Sequence, residues 1–522
     1  MSKLKVLVLA TAPMFLLSAC MVGPDYKKPE INVATQWNTD NGGVKSGPVT
    51  DAAWWKSFND PVLTKLIETG YQNNLSLQSA GVRVLQARAQ LAQSVGEMYP
   101  QQQGLEASYT HEGIGSGNTM SSLIPSTFNL GSYALSSSWE ADFWGKYRRA
   151  IQANDANFLS SYAAYDQALV SLTADIASSY VAIRTYEAQL FVTQSNIKVQ
   201  KSSLQIAQAR YNAGQVSLLD VEQALTQLNQ TEASLPPIVI DLQQQKNALG
   251  VLLGTTPDKV DALLGGRHSI PVVPTSMNVG IPKDILRQRP DVRQAELNAI
   301  AQSAGIGAVK AQLYPALSLS GSFGFSSTDI GQSSMNDIFQ WSNHTVAIGP
   351  SLSLPLLNYG QLTNQVRVQD AAFQEAILNY QNTVLNAQKE VQNGIVSYVE
   401  SQKSVKSLLL ANAAAERTTE LALIRYKAGE ADYTTVLDSE QEQLTVQTSL
   451  TNAQGSIPQG LISLYRALGG GWQMRRGHDV VPEKIKQEMA QRTNWGNLLK
   501  EPNHDVPTNS VEQVKQTDLP NW

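Results

Sequence analysis

The pentapeptide Arg210-Tyr211-Asn212-Ala213-Gly214 returns as Arg425-Tyr426-Lys427-Ala428-Gly429, 215 residues later. The same offset relates Tyr99-Pro100 to Tyr314-Pro315, Gly145 to Gly360, and Leu253-Gly254 to Leu468-Gly469. Landmarks keep a common spacing over such distances when a chain carries two copies of one unit, here roughly 180 residues long. Tandem copies can be woven into a single architecture, so the 522 residues need not divide into separate domains. Whatever the first copy forms, the second must form too.

Each copy is built mainly of helix. Lys146 to Arg210 contain neither proline nor glycine, and at 1.5 Å per residue such a helix reaches about 100 Å. Leu169, Ile176, Ile183, Leu190, Ile197, Leu204 and Tyr211 recur every seven residues, with Leu172, Ser179, Tyr186, Thr193, Gln200 and Ala207 between them. That 3,4 alternation is a coiled-coil seam. Shifted by the repeat, it reappears from Val384 to Tyr426 with smaller residues. A narrow seam on a Gln/Ser/Asn-rich helix predicts edge-to-edge packing with the other faces wet. Gly214 and Gly429 stand where a helix needs a left-handed closing residue. Ser217 and Asp432 are both suited to cap the helix that follows. Pro236-Pro237 should kink or interrupt the first returning helix, and Pro458 lies in the second.

Between the helices the period changes to two. Leu105, Ala107 and Tyr109 alternate with Glu106, Ser108 and Thr110, and Tyr133, Leu135 and Trp139 alternate with small polar residues. In the second copy Leu317, Leu319, Phe323 and Phe325 do the same, followed by Val346, Ile348 and Leu352. Runs of 9–12 residues with one apolar face and one Ser/Gly/Ala face match tilted membrane strands around a watery lumen. The long Ser/Asn-rich loops at 112–131 and 326–344 suit the outside of such a barrel. Two copies supply four strands, which cannot close on themselves, and open edges are not tolerated in lipid. The barrel must therefore be shared between chains. Two chains would give a filled eight-stranded barrel, whereas three would give twelve strands and a lumen that suits the Ser/Gly face.

The first twenty residues explain the one cysteine. Lys3 and Lys5, the apolar run Val6–Leu17 and then Ser18-Ala19 form a secretory signal peptide. Leu17-Ser18-Ala19-Cys20 is a bacterial lipobox, so Cys20 is the expected site of acylation and the mature N-terminus. No later apolar run approaches the ~20 residues of a spanning helix. A net charge of −5 excludes a basic nucleic-acid footprint, and the five histidines have no metal-ligand spacing. Neither a metal nor a cofactor beyond the covalent lipid is expected. Ser195-Asn196-Ile197-Lys198 matches an SxxK motif, but it lies on the coiled-coil helix, and no zincin, nucleophile-elbow or phosphate-loop motif accompanies it. We expect no enzyme.

The residues Ala19-Cys20-Met21-Val22-Gly23-Pro24-Asp25-Tyr26-Lys27-Lys28-Pro29, WWKSFNDPVLTKLI (54–67), RQRPDVRQAE (287–296), LYPALSLSGSFG (313–324), both RYxAG turns and LDSEQ (437–441) together resemble the TolC-like outer-membrane factors. Within them they are most similar to the lipoprotein (NodT/OprM-like) branch of efflux channels. The resemblance covers nearly all of the mature chain except the tail. It implies a mixed α and β membrane protein, a homotrimer with a twelve-stranded barrel continued by a periplasmic helical barrel. The chain would be lipid-anchored in the outer membrane and reach into the periplasm of a Gram-negative bacterium. It implies a periplasmic adaptor (membrane fusion) protein and an inner-membrane efflux pump as partners, in addition to outer-membrane lipid. It also puts the two turns at a periplasmic tip and makes Tyr426, Asp438 and Asp220 candidates for the closed constriction, where carboxylates from three chains would favour cations. Asp220 is equally a carboxylate placed to favour a helix start. Where family members carry a latching Arg after the second turn, this chain has Ala431. Arg210 and Arg425 are the nearest substitutes, although each is also placed to neutralise its own helix end.

The expected organisation is a signal peptide at 1–19, a lipid-anchored extended leader at 20–53 and first-repeat helices at 54–98. Strands with their loop follow at 99–145, then the long helix, turn and returning helix at 146–254. An equatorial inter-repeat segment at 255–289 leads to the second-repeat helix at 290–313, strands at 314–360 and long helix, turn and returning helix at 361–469. Residues 470–522 are expected to be an equatorial or flexible, weakly ordered tail. The same channel could serve type I protein secretion. A lipid-anchored periplasmic coiled-coil spacer is a further alternative, although it leaves the amphipathic strands unexplained.

Overall fold

The computed structural model describes residues 21–37, 44–46, 52–119, 123–266, 268–280, 282–331 and 334–500. The expected signal peptide at 1–19, Cys20 and residues 501–522 lie outside them. In the leader, β1 (Val44–Ser46) pairs in parallel with β4 (Met277–Val279) of the inter-repeat segment. The first repeat then runs through α1 (Pro61–Asn73), α2 (Leu75–Gly96), β2 (Gln102–Gly113), β3 (Thr127–Glu140), α3 (Lys146–Asn212), α4 (Leu218–Ala233) and α5 (Leu235–Leu252). Short α6 (Pro257–Leu264), β4 and α7 (Pro282–Gln288) join it to α8 (Pro290–Ala311), β5 (Ala316–Thr328), β6 (His344–Ser353), α9 (Gln361–Ala428) and α10 (Tyr433–Ala467). A last helix, α11 (Glu483–Arg492), lies in the tail.

The four long strands form one antiparallel sheet in the order β2-β3-β5-β6. Its register aligns the alternation across all four strands. Leu105, Leu135, Phe323 and Val346 make one row on one face, while Gly104, Ser136, Ser322 and Ala347 make the neighbouring row on the other. The apolar side is open rather than packed, with Ile348 77% exposed. The loop before β6 folds back over this side, setting Phe339 at 5.1 Å from Tyr133 and Trp341 at 6.3 Å from Phe325. Both outer strands, β2 and β6, keep an unpaired edge.

The long helices begin at Gly145 and Gly360, both at positive φ (77° and 81°), so the chain turns from strand to helix at a residue without a Cβ penalty. α3 has 67 residues and α9 has 68, each about 100 Å long. The expected narrow seam holds for α9 but not for the middle of α3. There α1, α2, α8 and α10 pack around the helix, and even Asp155, Asp166 and Arg184 are buried. This is the main core, where Leu63, Ile67, Ile176, Tyr180 and Leu464 meet. Trp54 stacks on Tyr465 within it at 5.1 Å. Fully burying such a side chain contributes about 1.5–3 kcal/mol. The start of α1 is tied into the same region: Asp60 caps Val62 and Leu63 (2.9 and 3.2 Å) and accepts from the Tyr180 hydroxyl at 2.6 Å. α9 approaches α10 closely at Gly394, where a Cβ would fall 2.9 Å from Leu464 Cα.

The proline expectations divide between the copies. The first returning helix breaks at Ser234, just before Pro236-Pro237, whereas α10 runs through Pro458 without interruption. Of the tail expectation, weak order does not hold for residues 470–500. Arg475 is fully buried and forms a two-pronged ion pair with Asp166 of α3 (2.6 and 3.1 Å), its guanidinium lying near Tyr162 and Trp472. Val480, Val481 and Met489 are buried with it. A buried carboxylate on α3 demands a cation, and the tail supplies it.

Candidate functional site at the far end of the helices

Both RYxAG turns fold in the same way for the same local reason. Gly214 N–H bonds to Tyr211 O (2.8 Å) and Gln215 N–H to Arg210 O (2.9 Å). Gly429 N–H and Glu430 N–H bond likewise to Tyr426 O and Arg425 O (3.0 and 2.9 Å). These paired 5→2 and 6→1 bonds satisfy carbonyls that a helix end leaves orphaned, and they require the left-handed φ of +69° and +79° seen at the two glycines. The helices that follow start differently. Ser217 Oγ accepts from Leu219 N–H at 3.2 Å, as expected. The Asp432 side chain caps nothing, which corrects the expectation; only its backbone carbonyl receives a bond, from Thr435 N–H at 3.1 Å.

The tertiary surroundings separate the copies further. Tyr211 is 39% exposed, whereas Tyr426 is 1% exposed in a small core with Ala207, Val221, Ala422, Tyr433 and Val436. The Tyr426 ring meets Tyr433 edge to face at 5.3 Å. Its hydroxyl donates to Asp220 Oδ2 at 3.1 Å. Burial, then the Asp220 bond, pushes the Tyr426 phenol up to about 12, so it remains a donor at any physiological pH. Asp220 sits half-buried in the first turn of α4, where the helix start also favours its charge.

Arg210 behaves unlike its sequence position suggests. It leaves the end of α3, lays its guanidinium over the Tyr426 ring at 4.6 Å and donates to the Tyr426 carbonyl. Its cation therefore neutralises the end of α9, not of its own helix. It occupies the space beside Gly429, where a Cβ would come 3.4 Å from Nη2. Arg425 stays within its own turn, donating to Glu430 O at 3.4 Å. Of the three constriction candidates, Tyr426 and Asp220 are brought together. Asp438 lies on the exposed side of α10, and no hydrogen bond joins it to that pair. Tyr433 and the buried Ser203–Glu440 contact (2.5 Å) were not singled out from the residues. Their only signal is spacing, with Ser203 and Arg210 one heptad apart. Among the described residues no group of three His, Cys, Asp or Glu side chains is poised for a metal, and no helix is long and apolar enough to cross a membrane.

At the opposite end, the residues after Cys20 are fastened at the junction of sheet and helix. Val22 N–H bonds to Trp144 O at 3.1 Å, and Met21 packs so tightly that a Cβ on Gly145 would fall 2.7 Å from its Cγ. Arg149 holds Asp25 at 2.9 Å.

A sheet with an open apolar face, continued by paired helices about 100 Å long that end in a polar-bonded tip, is the plan of a channel subunit that starts in a membrane and reaches far from it. The family profile for outer membrane efflux proteins matches residues 66–255 and again 281–470, two spans offset by the same 215 residues as the turns. The chain belongs to the outer membrane efflux protein family, and it is an efflux channel of the outer membrane. It is 31% identical to nodulation protein T of Rhizobium leguminosarum bv. trifolii over 465 residues, 88% of this chain and 97% of that one. It is 29% identical to the solvent efflux pump outer membrane protein SrpC of Pseudomonas putida, over 88% of this chain and 98% of that one. Among solved structures, the outer-membrane channel OprN superposes with a TM-score of 0.80 at 30% identity, covering 87% of this chain and all of that one. The outer membrane protein VceC of Vibrio cholerae matches at 0.73 and 29%, covering 81% and 99%.

Proposed function

We propose that three copies of the chain close a twelve-stranded barrel in the outer membrane and that their long helices continue it as a tube across the periplasm. The tube would pass small molecules delivered by an inner-membrane pump through a periplasmic adaptor. The observation that carries this reading is the sheet itself. Beyond the reach of the loop before β6, its apolar face is left open, and β2 and β6 each offer a free edge. In lipid those edges need partners, and in a closed ring β6 of one copy pairs with β2 of the next. Exposed apolar residues along the helices, such as Leu410 and Ile240, give neighbouring copies something to bury. The relatives' names speak of cations, solvents and toluene, so the shared channel does not by itself select a cargo. Those names favour efflux over protein secretion.

The constriction in this reading lies at the far tip. Tyr426 and Asp220 join the second repeat to the first within one chain, Arg210 reinforces the joint from α3, and Asp438 remains exposed for the axis between chains. The anchor in this reading is lipid on Cys20. The described residues that follow it, Met21 and Val22, are fastened at the start of α3, at the edge of the sheet.

The test is assembly and conduction together. Purified protein should migrate as a heat-modifiable oligomer three times the chain mass and conduct in planar bilayers. A monomer with no conductance would refute the proposal.

A further inference from the structure

Four polar residues of α3 stand at intervals of seven: Gln189, Asn196, Ser203 and Arg210. They flank the apolar seam positions Leu190, Ile197, Leu204 and Tyr211, and each reaches the second repeat. Gln189 donates to Asn452, Asn196 to Gln447 Oε1 at 2.6 Å, Ser203 to Glu440 Oε1 at 2.5 Å and Arg210 to the Tyr426 carbonyl. Polar rungs beside a coiled-coil seam specify register at a cost in stability. Here they tie α3 to α9 and α10 down to the tip.

On the α10 side, one rung differs from the others. Glu440 is 2% exposed, its Oε1 is taken by Ser203, and its Oε2 is buried without a partner. One turn away on α3, Gln200 is buried with both amide atoms unpartnered. The titratable group that feels Glu440 directly is Tyr433 on its own helix, and Tyr426 on α9 and Asp220 on α4 lie beyond it, around Tyr433. None is a cation. Of the basic groups on α3 nearby, Arg210 is committed to Tyr426 and Lys201 to Glu232 of α4 at 2.8 Å. At the next rung, Glu416 of α9 accepts from Gln447 at 3.2 Å. A neutral carboxyl fits this site, whereas an ionised one is a buried charge with one hydrogen-bond partner.

We propose that Glu440 is a proton-controlled rung: protonated, it holds the two repeats in their closed register, and on ionising it loosens α10 from α3 at the tip. The proposal rests on reading the tip as the gate. Burial raises the Glu440 carboxyl above its ordinary range, offset in part by the Ser203 bond. The closed bundle therefore holds the proton more tightly than an opened, hydrated tip. The contribution to closure is complete below the ordinary glutamate value of about 4.3 and is lost as pH rises through the raised value. Within that window the opening equilibrium changes by up to about tenfold per pH unit per chain.

Amide hydrogen exchange of residues 433–447 in the full assembled protein, as a ratio of wild type to Glu440→Gln at each pH, cancels intrinsic exchange. The expected ratio rises with pH through the window and then levels. In Ser203→Ala, which removes the bond that favours the charged form, the window should extend to higher pH. A ratio flat with pH would overturn the proposal. Conductance of Tyr426→Phe separates the two readings: if it equals wild type, the gate at the tip fails on its own account. If it rises while the exchange ratio stays flat, the gate stands and the proton-controlled rung does not.

Discussion

Tyr426→Phe removes one oxygen and leaves the ring to Arg210 and Tyr433, so it isolates the bond to Asp220. A hydrogen bond to a charged group is worth about 1.5–3 kcal/mol, but this one is 3.1 Å long and its acceptor is half-buried. Water can therefore replace part of it, and about 1 kcal/mol per chain is the fair figure. If three chains open in concert, the closed state loses about 3 kcal/mol, close to a hundredfold in the ratio of closed to open. Tyr211→Phe, at the matching position of the first turn, should change nothing, because that ring is exposed. The assay is single-channel recording in planar bilayers on protein shown to assemble. Equal open probability for wild type and Tyr426→Phe would refute the reasoning, as would an equal effect of Tyr211→Phe. The raised phenol adds a pH signature. Its contribution is intact below the ordinary tyrosine value near 10 and is lost only as pH climbs through about 12, so no tyrosine-driven opening should occur between pH 7 and 9.

Further expectations concern other parts of the chain. Asp438→Ala should widen the closed constriction and weaken cation preference; unchanged conductance and selectivity would remove Asp438 from the gate. Cys20→Ser should abolish acylation, read by mass spectrometry, while the heat-modifiable oligomer still forms. Loss of the oligomer would mean that the lipid is needed for assembly. Arg475→Met takes the cation away from the buried Asp166 carboxylate, so it should cost about 3–5 kcal/mol in thermal or denaturant unfolding. Asp166→Asn with Arg475→Met together should recover part of that loss, and a double variant as unstable as the single one would refute the pairing argument.

Much of this architecture is local and could be read from residue order. Glycine at 214 and 429 closes both helices, because only a left-handed residue completes that pattern of hydrogen bonds. Strand alternation persisted through Leu105, Leu135, Phe323 and Val346 because each side chain's face depends on its parity alone. Other readings failed where a partner lay far along the chain. Asp432 has a capping residue's chemistry but caps nothing. The tail is polar in composition, yet Arg475 is drawn into the core by Asp166, 309 positions earlier. The α3 seam broadened into all-round burial because four other helices close around it.

The repeat, the spacing of its turns and the two-faced strands were determined by sequence alone, since each depends on backbone chemistry within a few residues. Which copy of the duplicated turn is buried was decided only by the tertiary structure. Arg210 and Arg425, or Tyr211 and Tyr426, are indistinguishable as local motifs. The four-helix packing at the tip places α4 and α10 around Tyr426 and leaves Tyr211 in the open. Asp220, Arg210 and Tyr433 then converge on one tyrosine out of two, and that convergence is long-range packing, which no local pattern records.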